Sequence, residues 1–334
     1  MHRYSYYKTA ACTLNVSIGD PQANKEEILK CIQELDSDTQ LVVFPELCIT
    51  GYTCQDLFYE HTLLNSAKQV LFEIVEELPE NLVTVLGLPL EIENRLYNCA
   101  AICFNHDILG IQVKTYIPSY NEFYETRWFS SASELKENTT FTYKNKKVPV
   151  SNHIVFKDTS ACLGIEICED LWVTIPVSST HALAGANVLC NLSASNEIIS
   201  KANYRRNLVK DQSAKCYAGY VYASAGPTES SSDLVFSGHN LICENGAILS
   251  ETKTDKIIYG QIDLDHLNHD RLHYKTSMQD LFHVNYTTVE FTSKPIEEIE
   301  FDRYIDAYPF VPNNQDERIV RCLEILHIQA QGLA

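Results

Sequence analysis

Three residues of this chain have side chains that, brought together, open an amide bond: Glu46, Lys114 and Cys168. Each closes a short apolar run, in Val43-Phe-Pro-Glu46, Ile111-Gln-Val-Lys114 and Ile165-Glu-Ile-Cys168. In such an arrangement Cys168 attacks a carbonyl carbon, and Glu46 takes the thiol proton and later hands it to a leaving amine. Lys114 supplies positive charge for the thiolate and for the oxyanion of a tetrahedral intermediate. The stretch Gly164-Ile-Glu-Ile-Cys-Glu-Asp-Leu-Trp172 makes that charge necessary, because Glu166, Glu169 and Asp170 surround the thiol and negative neighbours disfavour a thiolate. A buried lysine tends to lose its proton, and a ring of carboxylates keeps it an ammonium. No histidine base is required. Glu166 either shares the face of Cys168 by strand alternation or faces a helix layer, and it is assigned no role.

Taken singly, the three are ordinary residues: a solvated strand-end carboxylate, a surface lysine and a buried structural thiol. What matters is the elements that end on them. Strands are predicted at Thr9 to Leu14, Leu41 to Phe44, Val83 to Leu88, Tyr97 to Phe104, Ile108 to Val113, Ala161 to Ile167, Val188 to Leu192 and Tyr220 to Ser224. A hairpin is expected at Leu241 to Leu249, turning on Asn245-Gly246. Helices are predicted after an apparent capping box at Asn24-Lys-Glu-Glu27, from Tyr59 to Glu77, from Ser179 to Ala186 and from Arg205 to Ala218. Apolar strands alternating with helices indicate a layered α/β fold with buried sheets, in which strand C-terminal ends carry the chemistry. Residues 1–285 read as one domain. Residues 286–334 read as an acidic connector and a final helix, Asp316 to Gln329.

With those blocks in place, the chain resembles the nitrilase, or carbon–nitrogen hydrolase, superfamily. More narrowly, it is similar to the glutaminase domains of glutamine-dependent NAD synthetases. The likeness rests on Pro45-Glu-Leu-Cys-Ile-Thr-Gly-Tyr-Thr-Cys-Gln-Asp-Leu-Phe58, Lys114-Thr-Tyr-Ile-Pro-Ser-Tyr-Asn-Glu-Phe-Tyr-Glu-Thr-Arg-Trp-Phe129 and Cys168-Glu-Asp-Leu-Trp172, with Asn191-Leu-Ser-Ala-Ser195 and Asp233-Leu-Val-Phe-Ser-Gly-His239. The resemblance implies a four-layer α-β-β-α sandwich. It implies that Glu46 is the general base, Lys114 the catalytic lysine and Cys168 the nucleophile, with Glu125 as a second glutamate that positions lysine and substrate. It implies glutamine as substrate, a γ-glutamyl thioester and release of ammonia. Tyr120, Phe123, Glu169, Ser195 and Lys201 fall where the family shapes the glutamine pocket, and Tyr52 where that pocket meets the ammonia route. Glu169 is expected to read the amino end of the substrate, and Ser195 and Lys201 its carboxylate. The family also implies a C-terminal synthetase domain as partner, and a homo-oligomer. No cofactor is expected in this domain, ATP and magnesium belonging to the synthetase half, whose Ser-Gly-Gly-x-Asp-Ser loop does not occur in the 334 residues. The competing expectation is a stand-alone amidase of the same superfamily acting on another small amide.

Composition narrows the alternatives. A net charge of −18 lacks the basic footprint of a nucleic-acid partner. No apolar run reaches the length of a membrane span and the N-terminus lacks an apolar signal core, so a cytoplasmic protein is expected. Twelve cysteines occur without a Cys-x2-Cys pair and mostly in apolar runs, as buried thiols in a reducing compartment do. His266, His269 and His273 have a spacing that can bind zinc, but their segment is highly polar, and a solvated helix face resting on Leu267 and Leu272 is the expected reading; no metal is assigned.

Overall fold

The computed structural model describes residues 5–159, 161–279 and 283–333. The extreme ends of the two expected segments, 1–4 and 334, lie outside them. The chain divides into two compact units, Met1–Glu300 and Phe301–Ala334.

In the first unit the strands follow one another as Tyr6–Cys12 (β1), Leu41–Val43 (β2), Val83–Ile92 (β3), Arg95–Phe104 (β4), Asp107–Val113 (β5), Thr140–Tyr143 (β6) and Lys146–Ser151 (β7). A second series comprises Ile154–Lys157 (β8), Cys162–Ile167 (β9), Val188–Ser193 (β10), Gly219–Ser224 (β11), Asn240–Glu244 (β12) and Ala247–Thr252 (β13). Ile257–Asp263 (β14) then returns to the first sheet and Thr287–Glu290 (β15) to the second. Among the described residues this gives an eight-stranded sheet in the order β14-β1-β2-β3-β4-β5-β7-β6 and a seven-stranded sheet in the order β13-β12-β11-β10-β9-β8-β15.

Strand alternation sets the layers. On one face of the first sheet Ala10, Val42, Leu86 and Ala101 pack against Ile28 and Cys31 of α1 (Pro21–Gln33) and Val70, Leu71 and Ile74 of α2 (His61–Glu77). On the other face Ala11, Val43, Val85 and Ile102 meet Ile165, Ile167, Leu192 and Val221 of the second sheet. The outer face of that sheet, with Leu189, Tyr220 and Leu241, is covered by Ala182 of α3 (Val177–Leu183) and Val209 of α4 (Lys201–Lys215). The layers are therefore helix, sheet, sheet, helix, as the resemblance implied.

Local details depart from the sequence reading for identifiable reasons. The first helix starts earlier than the Asn24 box: the Asp20 side chain accepts from Ala23 N at 3.1 Å and Pro21 opens the first turn. Asn24 instead bridges Ser17 O and Ile49 O through its amide, at 2.9 and 3.0 Å. The hairpin turns where expected, with Asn245 at φ 44° and Gly246 at φ 83°, the pair of positive values a type I′ turn needs. In α5 (Leu264–His273) Leu267 is buried, but Leu272 is 67% exposed and is not a core contact. His269 and His273 lie ring to ring, and the described residues contain no group of three or more metal-ligating side chains.

The expected boundary after residue 285 falls inside the first unit. Thr287-Thr-Val-Glu290 adds a parallel strand to the free edge of β8, Ser293 N donates to Asp158 at 3.1 Å, and Glu300 N donates to Asp38 at 3.1 Å. Only four residues pair, with little apolar content, so the segment looked like a connector. The second unit contains α6 (Gln315–Leu333), none of whose side chains is buried. No helix among the described residues is long and apolar enough to cross a membrane.

Candidate active site

The elements just described bring three strand ends together where the two sheets face each other. Glu46 follows β2 and Lys114 follows β5, both in the first sheet, while Cys168 follows β9 in the second. Lys114 is wholly buried. Its ammonium donates to Glu46 Oε1 at 2.6 Å and to Glu125 Oε1 and Oε2 at 2.8 Å each. Glu46 is buried as well. Its Oε1 also accepts from Asn98 Nδ2 at 2.7 Å, and its Oε2 accepts from the Ala194 backbone N–H at 2.9 Å. Glu125 sits in a short 3₁₀ turn, Glu125–Arg127, and accepts from Tyr52 Oη at 2.8 Å.

These charges set one another's protonation. Burial alone would lower the Lys114 pKa, but Glu125 and Glu46 more than reverse it and hold the ammonium charged. Burial, helped by Glu125 and opposed by Lys114, pushes Glu46 up to about 7. The Cys168 thiol is raised, first by burial and then by Glu46, with Lys114 acting in the opposite sense. The resting arrangement is thus a neutral thiol beside a lysine and a carboxylate able to take its proton near neutral pH. Cys168 itself has φ 44°, a left-handed backbone that a residue with a Cβ adopts at a cost.

The acids around the thiol have separate duties. Glu166 faces the helix layer, accepting from Ser178 N at 2.6 Å and from the Tyr220 hydroxyl. Glu169 accepts from Tyr120 Oη at 2.9 Å on both oxygens. Asp170 is buried and accepts backbone N–H groups only: Thr115 and Tyr116 at 3.0 and 2.8 Å on Oδ1, and Ile167 at 3.1 Å on Oδ2.

The other expected pocket residues fall into connected groups. The Tyr120 ring meets Phe123 edge-on at 5.9 Å, and the Lys201 ammonium stands 5.6 Å from Phe123 and 5.1 Å from Trp172. Lys201 opens α4, four residues ahead of the predicted start, and donates to Asn196. Ser195 Oγ accepts from the fully buried Arg205, from Nη2 at 3.1 Å and Nε at 3.3 Å. Tyr52 stands apart from Tyr120, on the Glu125 side, its backbone N–H held by Glu229 at 2.8 Å. There a small cavity of about 30 Å³ is lined by Tyr52, Phe123, Glu125, Trp128 and Leu234.

Sequence reasoning missed Asn98, Arg205, Trp172 and Glu229. Asn98 left a readable trace, a lone amide in the apolar strand Tyr97-Asn-Cys-Ala-Ala-Ile. Gly87 left none. Its missing side chain makes room for the Glu46 loop: a Cβ there would lie 2.4 Å from Leu47 N and 2.6 Å from Pro45 O. Gly87→Ala is expected to displace Glu46 and to lower the amidase rate by roughly 10²-fold, a loss typical of an ångström's misplacement. A rate within threefold of the original, with an unchanged melting temperature, would show the loop to be free to move.

A fold with two helix-covered sheets and a glutamate, lysine and cysteine at their joint defines a class, and family comparison agrees: the carbon–nitrogen hydrolase model matches residues 8–271, and the chain belongs to that family. Within it, the chain is 35% identical over 347 residues to the glutamine-dependent NAD(+) synthetase of Mycobacterium tuberculosis (strain ATCC 25618 / H37Rv), covering 99% of this chain and 51% of that protein. It is 30% identical to the enzyme of the same name from Homo sapiens, over 72% of this chain and 35% of the other. A glutamine-dependent NAD(+) synthetase crystal structure from Cytophaga hutchinsonii superposes with a TM-score of 0.69 at 30% identity, over 77% of this chain and 43% of that one. The chain thus spans about half the length of the mycobacterial relatives it matches. A carbon–nitrogen hydrolase from Helicobacter pylori G27, at 17% identity and a TM-score of 0.66, shares the fold.

Proposed function

We propose that this chain is a glutaminase domain, releasing ammonia from glutamine for NAD synthesis from nicotinic acid adenine dinucleotide in a further, synthetase domain. The observation that carries the reading is the buried lysine held between two glutamates beside a strand-end cysteine, in a chain similar along nearly its whole length to enzymes named for glutamine and NAD. ATP and magnesium belong to the synthetase step and not to this site.

In this reading the Cys168 proton passes to Glu46 as sulfur attacks the side-chain amide carbon of glutamine. The carbonyl electrons move onto oxygen, beside the Lys114 ammonium. Glu46 returns the proton to nitrogen, the carbon–nitrogen bond breaks and ammonia leaves a thioester. Water, deprotonated by Glu46, attacks that thioester, and glutamate departs as Cys168 recovers its proton. Glu125 holds Lys114 in line. Glu169 receives the substrate ammonium, with Tyr120 fixing its carboxylate, while Ser195 and Lys201 receive the substrate carboxylate between Phe123 and Trp172. The small cavity beside Tyr52 suits a molecule the size of ammonia. Twelve free thiols fit the cytoplasm, and the family likeness suggests a homo-oligomer.

Glutamate and ammonia release by the wild-type chain, absent in Cys168→Ala, tests the proposal. Wild-type protein that opens other small amides but not glutamine would favour the stand-alone amidase instead. Because Glu46 must be ionised to accept the thiol proton, kcat/KM for glutamine is expected to fall as pH drops through about 7. A rate flat from pH 8 to pH 5.5 would remove Glu46 from the role of base.

A further inference from the structure

We propose that Asp170 is a positioning residue that locks the Lys114 strand end of one sheet onto the Cys168 strand end of the other. This rests on Lys114 and Cys168 acting as a pair, as in the reading above.

The argument starts from what holds the two sheets together. Their shared interface consists of side chains such as Ile102, Ile154, Ile165 and Ile167. Apolar contact resists separation but is non-directional, so by itself it fixes a sliding coordinate poorly. Hydrogen bonds are directional. At the strand ends Asp170 makes such a contact in both directions. Its Oδ1 takes the N–H groups of the two residues that follow Lys114, and its Oδ2 takes the N–H of the residue that precedes Cys168. The carboxylate therefore grips the backbone on the far side of the lysine and the near side of the nucleophile. The Oδ2 bond alone would be a local cap on the turn Cys168–Leu171. The two Oδ1 bonds cross more than 50 positions of sequence and between sheets, and a local cap does not need them. Asn191 steadies the same backbone, its Nδ2 standing 3.5 Å from Cys168 O. All three Asp170 bonds go to backbone N–H groups, and Asp170 forms no ion pair with Lys114 Nζ, whose charge it senses from a distance, so its hold on the chemistry is geometric.

Asp170→Asn tests this. The amide keeps one accepting oxygen but sets an N–H₂ against either Ile167 N–H or the Thr115 and Tyr116 pair, so one side of the lock opens. Two rates are followed: alkylation of Cys168 by iodoacetamide, read at the Cys168 peptide by mass spectrometry across pH 6–9, and glutamine hydrolysis. Both the alkylation rate near neutral pH and kcat are expected to fall roughly 30- to 300-fold, with KM within about threefold and circular dichroism native. Alkylation does not depend on the substrate, so a wild-type chain that alkylates readily but leaves glutamine intact would defeat the glutaminase reading and still test the lock. A folded Asp170→Asn protein with both rates within about threefold of wild type, or with a lowered melting temperature as its only change, overturns the proposal. Should that variant fail to fold, Asp170→Glu, which keeps the charge and moves it by one methylene, is judged by the same outcomes. Failure of both to fold would make Asp170 a folding residue and the proposal wrong.

Discussion

Replacing Lys114 by methionine is expected to abolish amide hydrolysis and to unfold part of the population at neutral pH. The ammonium donates to carboxylate oxygens of both Glu46 and Glu125, and all three groups are buried. Removing the cation leaves two buried carboxylates facing each other, and breaking a buried ion pair from one side destabilises by about 3–5 kcal/mol. The site can relieve this only by binding a proton, so the carboxyl pKa in the folded variant rises above its unfolded value of about 4.3. A raised folded-state pKa means that the native state binds more protons than the unfolded chain. The stability it confers is complete below pH ~4.3 and is lost as pH climbs through the raised value. Urea melts of Lys114→Met and wild type should therefore diverge more at pH 8 than at pH 5. A gap that does not change with pH would mean that the two carboxylates do not sense each other. The catalytic loss should exceed roughly 10³-fold, because in the proposed mechanism both the oxyanion and the thiolate lose the Lys114 cation.

The second large effect concerns Cys168. In the proposed mechanism Cys168 is the covalent nucleophile, so either Cys168→Ala or Cys168→Gly should lower the rate by roughly 10⁴-fold or more. Their stabilities should rank in an unusual order. Inside regular structure glycine is less stable than alanine by about 0.5–1 kcal/mol. At φ 44° the order is expected to reverse, the glycine variant melting above the alanine variant by the equivalent of about 1 kcal/mol, since the left-handed conformation burdens any residue with a Cβ. Thermal or denaturant melts of the two proteins decide the matter. Alanine above glycine would show that the turn carries no strain.

Much of the candidate site was legible in sequence because Glu46, Lys114 and Cys168 each follow an apolar run. Burial on both faces makes strands such as Leu41–Val43 and Cys162–Ile167 stand out, and the residue after them is then conspicuous. Strands that carry no chemistry and lie near sheet edges were harder to see. Thr140–Tyr143 and Lys146–Ser151 alternate buried and exposed residues over short spans, and Ile257–Asp263 is interrupted by Gly260. The residues that support the site were less legible still. Arg205 reads as one more basic position on a polar helix, yet it is wholly buried against Ser195, Asn196 and His239. Glu229 follows a Gly-Pro-Thr turn and looks solvated, yet it holds the backbone N–H groups of Tyr52 and Thr53. Nothing local marks such residues: Glu229 is held by a 3₁₀ turn more than 170 positions earlier, and Arg205 by the loop just ahead of its own helix together with His239.

The pairing of the first strand with a very late one has a further consequence, for biosynthesis. Tyr6 lies opposite Asp263 in the β1–β14 ladder, and Ile258 and Ile262 of β14 enter the core between the sheets. A ribosome adding about 5–20 residues per second finishes β14 roughly 5 to 20 s after it has made Cys168. During that interval the emerging chain carries the thiol without a completed double sheet around it. Its reactivity is then that of a free cysteine, open to oxidants and to no particular amide. The nascent polypeptide is thus expected to remain catalytically silent until the strand that closes its first sheet has left the exit tunnel, so that synthesis itself acts as the timer for when the thiol becomes an enzyme.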